Sequence, residues 1–252
     1  MTSTRGGFGE AVSVRIRYNS AMLKGIVHRS RHALWGIGLV LSRAVRSPLP
    51  GAFQPYYYTR SDRYPWLFGY AAARIGSRPN LRILSFGCSR GEEVFSLRRY
   101  FPGAAIKGID INPRNIARGL ARARAEHAAN VAFETAATTV GEPTSSYDAI
   151  FCLAVLCNGD LTTSKAQRCD PVLHFAQFDR IVGDFARCLK PGGLLVLHTT
   201  NFRFCDTAVA SDFDVVYEAE PKDLALDVIF DRHNQLMIGE RERYRAVAFQ
   251  KR

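Results

Sequence analysis

In Leu81-Arg82-Ile83-Leu84-Ser85-Phe86-Gly87-Cys88-Ser89-Arg90-Gly91-Glu92-Glu93, an apolar run gives way to a loop of small residues and then to a helix start. Asp110 follows nineteen residues after Gly91. Gly87, Ser89 and Gly91 leave the main chain bare where a strand turns into a helix, so a flat or charged ligand can approach backbone N–H groups there. Asp110 closes a second apolar run, residues 104–110, where a carboxylate can accept hydrogen bonds from both hydroxyls of a ribose. Together the two features predict a nucleotide-cofactor site. The loop reads Gly-Cys-Ser-Arg-Gly-Glu and lacks the third glycine of the G-x-G-x-x-G fingerprint, which argues against a pyrophosphate-binding dinucleotide site.

These residues resemble the first motif of the class I S-adenosylmethionine-dependent methyltransferases, an acid followed by G-x-G-x-G. The form Gly87-Cys88-Ser89-Arg90-Gly91-Glu92-Glu93 is similar to the variant found in chemotaxis receptor methyltransferases and related small-molecule enzymes. The resemblance implies S-adenosyl-L-methionine as cofactor, contacted by Gly87, Cys88, Ser89, Gly91, Glu92, Asp110 and Ile111. Ser85 stands where the family usually has its acid, and Ser89 where it usually has the middle glycine. Glu92 is the expected substitute for the missing acid. Ser89-Arg90-Gly91-Glu92 also fits the S-x-x-E capping box, and both uses place the carboxylate at one helix N-terminus. In the aromatic and polar stretch 54–65, Arg63 is expected to pair with the methionine carboxylate, and one of Tyr56, Tyr57 and Tyr58 to line the acceptor pocket. A cap held by aromatic packing alone is the competing account.

Methyl transfer from a sulfonium is an in-line displacement that alignment alone can accelerate. An acceptor that must lose a proton gains from a base, and Asp179, His174 and His198 are candidates by residue type. Asn201 and Arg203 follow the fifth strand, where ligands of parallel sheets sit, and are candidate acceptor contacts. After the fourth strand the chain reads Ala154-Val155-Leu156-Cys157-Asn158. That is neither the Asn/Asp-Pro-Pro-aromatic loop of amino-group methyltransferases of nucleic acids nor a Pro-Cys pair for attack on a pyrimidine. The expected acceptor is a small molecule with a hydroxyl or carboxyl oxygen. Protein carboxyl methylation, or cofactor binding without catalysis, are the alternatives.

The elements that must position these groups follow in order. Val94, Leu97, Tyr100 and Phe101 form a helical stripe that stops at Pro102-Gly103. Asn112-Pro113 opens a second helix with Ile116, Leu120 and Ala123 inward. Residues 131–134 predict a third strand, and 147–153 a fourth, apolar on both faces. An amphipathic helix over 175–189 breaks at Lys190-Pro191-Gly192-Gly193, a turn that also resembles the class I family, and the fifth strand begins at Leu194. Further β-type runs at 213–217, 226–230 and 244–249 would complete the sheet. The expected fold is α/β: a Rossmann-like, seven-stranded, mostly parallel sheet with helices on both faces and an antiparallel edge strand, plus an N-terminal helical cap. The domain division expected is 1–64 for a basic segment and cap, and 65–252 for the cofactor domain.

The 252 residues carry a formal charge of +11, of which residues 1–64 hold +8. The nearly neutral remainder argues against a nucleic-acid substrate, whose enzyme would carry basic surface on the catalytic domain. Residues 33–41 form an apolar run of nine flanked by arginines, too short to span a bilayer. It predicts either a helix packed on the domain or a peripheral lipid contact through residues 24–46. The six cysteines show no metal-ligand spacing, so no metal is expected and a reducing, cytoplasmic setting is. The oligomeric state is not legible.

Overall fold

The computed structural model describes residues 51–252 except Pro55, Tyr57, Pro171 and Leu226. All of these belong to the unit Pro48–Arg252. The basic run, the apolar residues 33–41 and the expected lipid contact at 24–46 lie outside the described residues.

Seven strands form one sheet: β1 (Arg82–Phe86), β2 (Ala105–Asp110), β3 (Val131–Thr135), β4 (Tyr147–Leu153), β5 (Leu189–His198), β6 (Phe213–Glu218) and β7 (Ala246–Lys251), in the order β3-β2-β1-β4-β5-β7-β6. The first five are parallel, and β7 runs antiparallel to both β5 and β6. The antiparallel strand therefore sits one place in from the edge, which β6 occupies. The helices are α1 (Pro65–Ile75), α2 (Glu92–Tyr100), α3 (Pro113–Ala125), the short α4 (Gly159–Thr163) and α5 (Phe175–Cys188).

Alternation along the strands divides the core in two. Ile83, Ala149, Phe151, Leu194 and Val196 face α1, α2 and α3, meeting Leu67, Phe68, Val94, Leu97 and Ile116. Leu84, Phe86, Ile150, Cys152, Leu195 and Leu197 face the other way, onto Phe178, Ile181, Val182 and Phe185 of α5. Tyr147 breaks the parity and joins the α5 side, because the β4–β5 register shifts between Tyr147 and Ala149. A bulge re-aims a side chain in this way. Burying both faces is what makes β4 uniformly apolar, and each fully buried large side chain contributes roughly 1.5–3 kcal/mol.

The structure corrects three local expectations. Leu189 already pairs with Tyr147, so β5 starts before the Pro-Gly-Gly turn, whose Gly192 takes φ +71 within the strand. Residues 227–230 form no strand, and only Phe230 makes isolated bridges, to Phe202 and Leu236. Asn201 Nδ2 donates to the Val228 carbonyl at 2.7 Å and the Phe230 N–H donates to the Asn201 carbonyl at 2.8 Å, so one asparagine meets backbone groups that a ladder would have used. The capping box does not form, since α2 begins at Glu92 with Gly91 as its N-cap at φ +93, leaving Ser89 two residues outside. Of the expected cap the structure describes residues 51–64 apart from Pro55 and Tyr57; these are irregular, and the first helix among the described residues is α1.

That irregular segment is nevertheless fastened to the sheet domain. Phe53 is buried, and its carbonyl accepts from Asn158 Nδ2 at 3.1 Å. Tyr56 donates to Asp160 Oδ1 at 2.9 Å, the Asp62 N–H donates to Ser96 Oγ at 2.9 Å, and Tyr100 donates to Asp62 Oδ1 at 3.1 Å. Among the described residues no helix is long and apolar enough to cross a membrane.

Candidate functional site

The strand order reverses between β1 and β4, and in open α/β sheets the crevice outside the strand tips at such a point is where ligands bind. The tip of β1 leads into Gly87, the tip of β2 is Asp110, and β4 and β5 end at Leu153 and His198. Each predicted loop residue lies at this edge.

The loop is locked onto its own surroundings. The N–H groups of Gly87 and Cys88 both donate to the Ile109 carbonyl, at 2.8 and 2.9 Å, and that of Gly91 donates to Cys88 O at 3.0 Å. The Ser89 N–H donates to Asp110 Oδ2 at 2.9 Å. The expectation of free N–H groups here is therefore corrected: no anion cradle remains at these four positions, which agrees with the missing pyrophosphate fingerprint. The Cys88 thiol is buried against Ser89 O and Gly108, so it stabilises the turn. The glycines serve close packing. A Cβ on Gly87 would stand 2.4 Å from Val155 Cγ2, and one on Gly91 would stand 2.8 Å from Phe133 Cζ.

Asp110 is nine-tenths buried and holds both sides of the crevice edge together. Besides Ser89, its Oδ1 accepts from the Asn112 N–H at 2.9 Å and from Asn115 Nδ2 at 3.2 Å. A carboxylate offers about four lone-pair sites, so with three filled, capacity for a ribose hydroxyl remains. Asn112 also caps α3 through the Arg114 N–H, with Pro113 in the first turn as the sequence predicts. Ile111 is half-buried and belongs to neither core, leaving an apolar side chain beside Asp110.

Two acids open α2. Glu92 pairs through Oε1 with Arg90 at 3.2 Å, while its Oε2 is buried with no hydrogen-bond partner among the described residues. Glu93, not among the residues expected at the site, reaches back to the tip of β1, where its Oε1 accepts from Ser85 Oγ at 2.7 Å. Ser85 is fully buried in an apolar strand and needs such a partner. Glu93 keeps some surface open, yet the protein packed round its carboxyl pushes its pKa up to about 7 by desolvation, against the opposing pull of Ser85 and Arg63. An acid thus stands near the place where the family motif has one, delivered from the helix instead of the strand. A buried, half-neutral carboxyl and an orphaned carboxylate oxygen fit the ammonium end of an amino-acid cofactor.

Arg63 meets no carboxylate at ion-pair distance among the described residues. Its Nη1 donates to Tyr58 O at 3.4 Å, and its guanidinium lies 5.1 Å from the Tyr64 ring centroid. Its charge acts on Glu93, Tyr64, Cys157, His198 and Asp227, which places it centrally among these groups. Tyr56 is tied to Asp160 and Tyr58 is exposed, while Tyr57 lies outside the described residues. Burial raises Tyr64 above its usual range and pushes the Cys157 thiol up to about 12, so Cys157 is no nucleophile. Asp227 is likewise raised by burial while accepting from Thr162 Oγ1 at 3.2 Å.

The remaining candidates separate. Asp179 accepts from the Ala208 N–H at 2.8 Å, and His174 is an exposed N-cap position of α5. Arg203 pairs with Asp206 through Nε and Nη2 and with Glu240 through Nη1. Asn201 is fully buried, its Oδ1 accepting from the Asn158 N–H at 2.6 Å while its Nδ2 holds Val228 O. Both side chains hold the loops around the site together. Asn201→Ala is expected to cost about 2–3 kcal/mol of stability by stranding buried backbone groups. Urea unfolding checks this; a loss below about 0.5 kcal/mol would show that the asparagine is dispensable. Of the proposed bases, His198 stands at the tip of β5, behind the crevice edge. Among the described residues no group of three His, Cys, Asp or Glu could hold a metal.

A family model described as Methyltransferase domain matches residues 77–240, well over half of the chain. The solved structures similar to it include a candidate sarcosine dimethylglycine methyltransferase of Galdieria sulphuraria, 21% identical, with 53% of this chain and 44% of that one covered and a TM-score of 0.43. Phosphoethanolamine N-methyltransferase 2 of Haemonchus contortus, in complex with S-adenosyl-L-methionine, is 17% identical over 65% of this chain and 31% of that one, with a TM-score of 0.43. Geranyl diphosphate C-methyltransferase of Streptomyces coelicolor is 15% identical over 53% and 45%, with a TM-score of 0.39. The chain spans less than half the length of each of these three structures. Among curated proteins none matches it.

Proposed function

This chain belongs to the methyltransferase-domain family, class I and S-adenosylmethionine-dependent, and on that premise we propose that it methylates a small molecule at a hydroxyl or carboxyl oxygen. The observation that carries the reading is the pair of acids flanking the β1 tip. Asp110 anchors the loop and keeps a lone pair for a ribose hydroxyl, while Glu93, raised to about 7, regains its charge beside an ammonium. When bound, the cofactor supplies an electrophilic methyl whose carbon–sulfur bond breaks with its electron pair going to sulfur. Asp110, Glu92 and Glu93 would orient that group, and Arg63 would meet a carboxylate or a developing oxyanion. The acceptor would enter beside Tyr64, Cys157 and Asp227, at the tips of β4 and β5.

Calorimetry with S-adenosylhomocysteine tests the cofactor half of this reading. Binding of that compound and none of NAD is the expected result, and its absence from the folded protein would refute it. Asp110→Ala should weaken that binding at least about tenfold, since it frees the Ser89 and Asn112 amides as well as removing a ribose acceptor. Labelled-methyl transfer to a metabolite extract tests the other half, and binding without transfer would mark a non-catalytic protein. We place the protein in the cytoplasm, a reading supported by five buried free cysteines acting as small apolar side chains. Peripheral lipid contact through residues 24–46 is tested by liposome sedimentation at low and high salt.

A further inference from the structure

At the tip of β5 a β-branched residue adopts a backbone conformation that such residues rarely take. Thr199 has φ +59, and Ala154 at the tip of the neighbouring β4 has φ +57, its N–H held by His198 O at 2.9 Å. A β-branched side chain in the left-handed region costs on the order of 1–3 kcal/mol and persists where the surroundings impose it. Here the surroundings fix the Thr199 hydroxyl on His198: Thr199 Oγ1 lies 2.8 Å from His198 Nδ1, and His198 Nε2 lies 2.9 Å from the Asp223 carbonyl oxygen. A carbonyl can only accept, so Nε2 carries the proton, and Nδ1 is left to accept from the threonine.

His198 is buried and Thr199 is partly open, so a ligand in the crevice reaches the threonine hydroxyl, which also hydrogen-bonds the Tyr64 side chain, and not the imidazole. The ring is walled by Tyr64, at 5.0 Å between centroids, and by Trp66 at 5.4 Å, both edge-on. The charged and titratable groups facing it are Arg63 and Tyr64 ahead of α1, and Asp223 of the turn Pro221–Asp223. Burial, and secondarily Arg63, hold the imidazole below its usual pKa, which keeps it neutral and able to take a proton at pH 7.

Resting on the methyl-transfer reading, we infer that Thr199 and His198 form the proton-accepting pair of the reaction, and that the acceptor arrives with an O–H. As the acceptor oxygen bonds to the methyl carbon and the carbon–sulfur bond breaks with its pair on sulfur, the hydroxyl proton passes to Thr199 Oγ1. The threonine's own proton passes to His198 Nδ1. The products are a methyl ether, the neutral sulfide and an imidazolium, which the desolvated site and Arg63 drive to release its proton to solvent through Thr199. A carboxylate acceptor is already ionised at neutral pH and would need no such pair, so the pair selects between the two oxygen classes. Thr199 touches the acceptor, and His198 acts through it.

Two arms test the pair. Nitrogen-15 NMR of ring-labelled histidine reads His198 without any acceptor: the Nε2–H tautomer, neutral at pH 7 and losing its signal in His198→Asn, is expected. A proton on Nδ1, or an imidazolium at pH 7, overturns the pair. The second arm measures labelled-methyl transfer to a panel of small phenols, alcohols and carboxylates. Thr199→Val should lower kcat for hydroxyl acceptors about 100-fold with the KM for S-adenosylmethionine unchanged, while Thr199→Ser restores most of it. His198→Asn keeps an acceptor for Thr199 and should abolish the acid limb of the pH–rate profile. Wild-type turnover in Thr199→Val, or an unchanged acid limb in His198→Asn, overturns the pair. Loss of S-adenosylhomocysteine binding in the wild type would instead overturn the methyltransferase reading itself, and calorimetry separates the two failures.

Discussion

Glu93→Gln is expected to weaken S-adenosylhomocysteine binding about 30- to 100-fold at pH 7.5 while making the empty protein more stable. The carboxyl accepts from Ser85 at the β1 tip, and burial pushes it up to about 7. An ammonium placed against it would lower that value, so binding releases a proton at pH values between the bound and free pKa. Affinity then rises with pH up to about 7, flattens, and falls once the ligand's own α-amino group deprotonates near 8. Glutamine cannot ionise, so the rising limb disappears along with the charge-assisted bond, worth about 2–3 kcal/mol. The stability change has the opposite sign. A carboxyl whose folded pKa is raised costs stability progressively as pH climbs from its unfolded value toward 7, and the full cost stands above 7. Removing it should return on the order of 1–3 kcal/mol there and little at pH 4. Calorimetry in buffers of differing ionisation enthalpy reads the proton release, and denaturation at two pH values reads the stability. A Glu93→Gln protein with an unchanged affinity profile would remove Glu93 from the cofactor site and return the role to Glu92.

Asp110 is legible in the sequence and Glu93 is not, and the difference is one of range. Asp110 is visible because the cue is local: an apolar run ends in an acid at a fixed distance from a glycine loop, and the strand delivers it to the sheet edge. Gly87, Gly91 and the Pro-Gly-Gly turn are visible for the same reason, each being demanded by a backbone turn in its own neighbourhood. Glu93 is found only by asking what satisfies Ser85, a hydroxyl in an apolar strand, eight residues upstream. That question could have been put to the sequence. The Thr199–His198 pair could not, since it depends on the carbonyl of Asp223, twenty-five residues away in a segment of irregular turns. The expected strand at 226–230 fails over 227–230 for the same reason: a β-type run signals burial, but Asn201 at a distance decides where the backbone of Val228 and Phe230 bonds.

Gly87→Ala is expected to lower stability by about 3–4 kcal/mol and cofactor affinity by at least about tenfold. Two terms add. At φ +72 an alanine takes a left-handed conformation costing about 1–2 kcal/mol. Its Cβ would also stand 2.4 and 2.7 Å from the two γ-methyl carbons of Val155, an overpacking of about 1–3 kcal/mol. Val155 belongs to the loop leaving β4, so relief of the clash must move the far wall of the crevice, and affinity falls with stability. The terms come apart in the double variant Gly87→Ala with Val155→Ala. There the methyls are gone and only the backbone strain should remain, returning about half of the lost stability. Gly103→Ala, where the added carbon meets nothing within 4 Å, should change stability by less than about 0.5 kcal/mol. Urea unfolding and calorimetry on the three proteins give the comparison. Equal stability in Gly87→Ala and Gly103→Ala would mean that the β1 tip yields freely, and a tip that yields could not hold Asp110 and Glu93 on opposite sides of one cofactor.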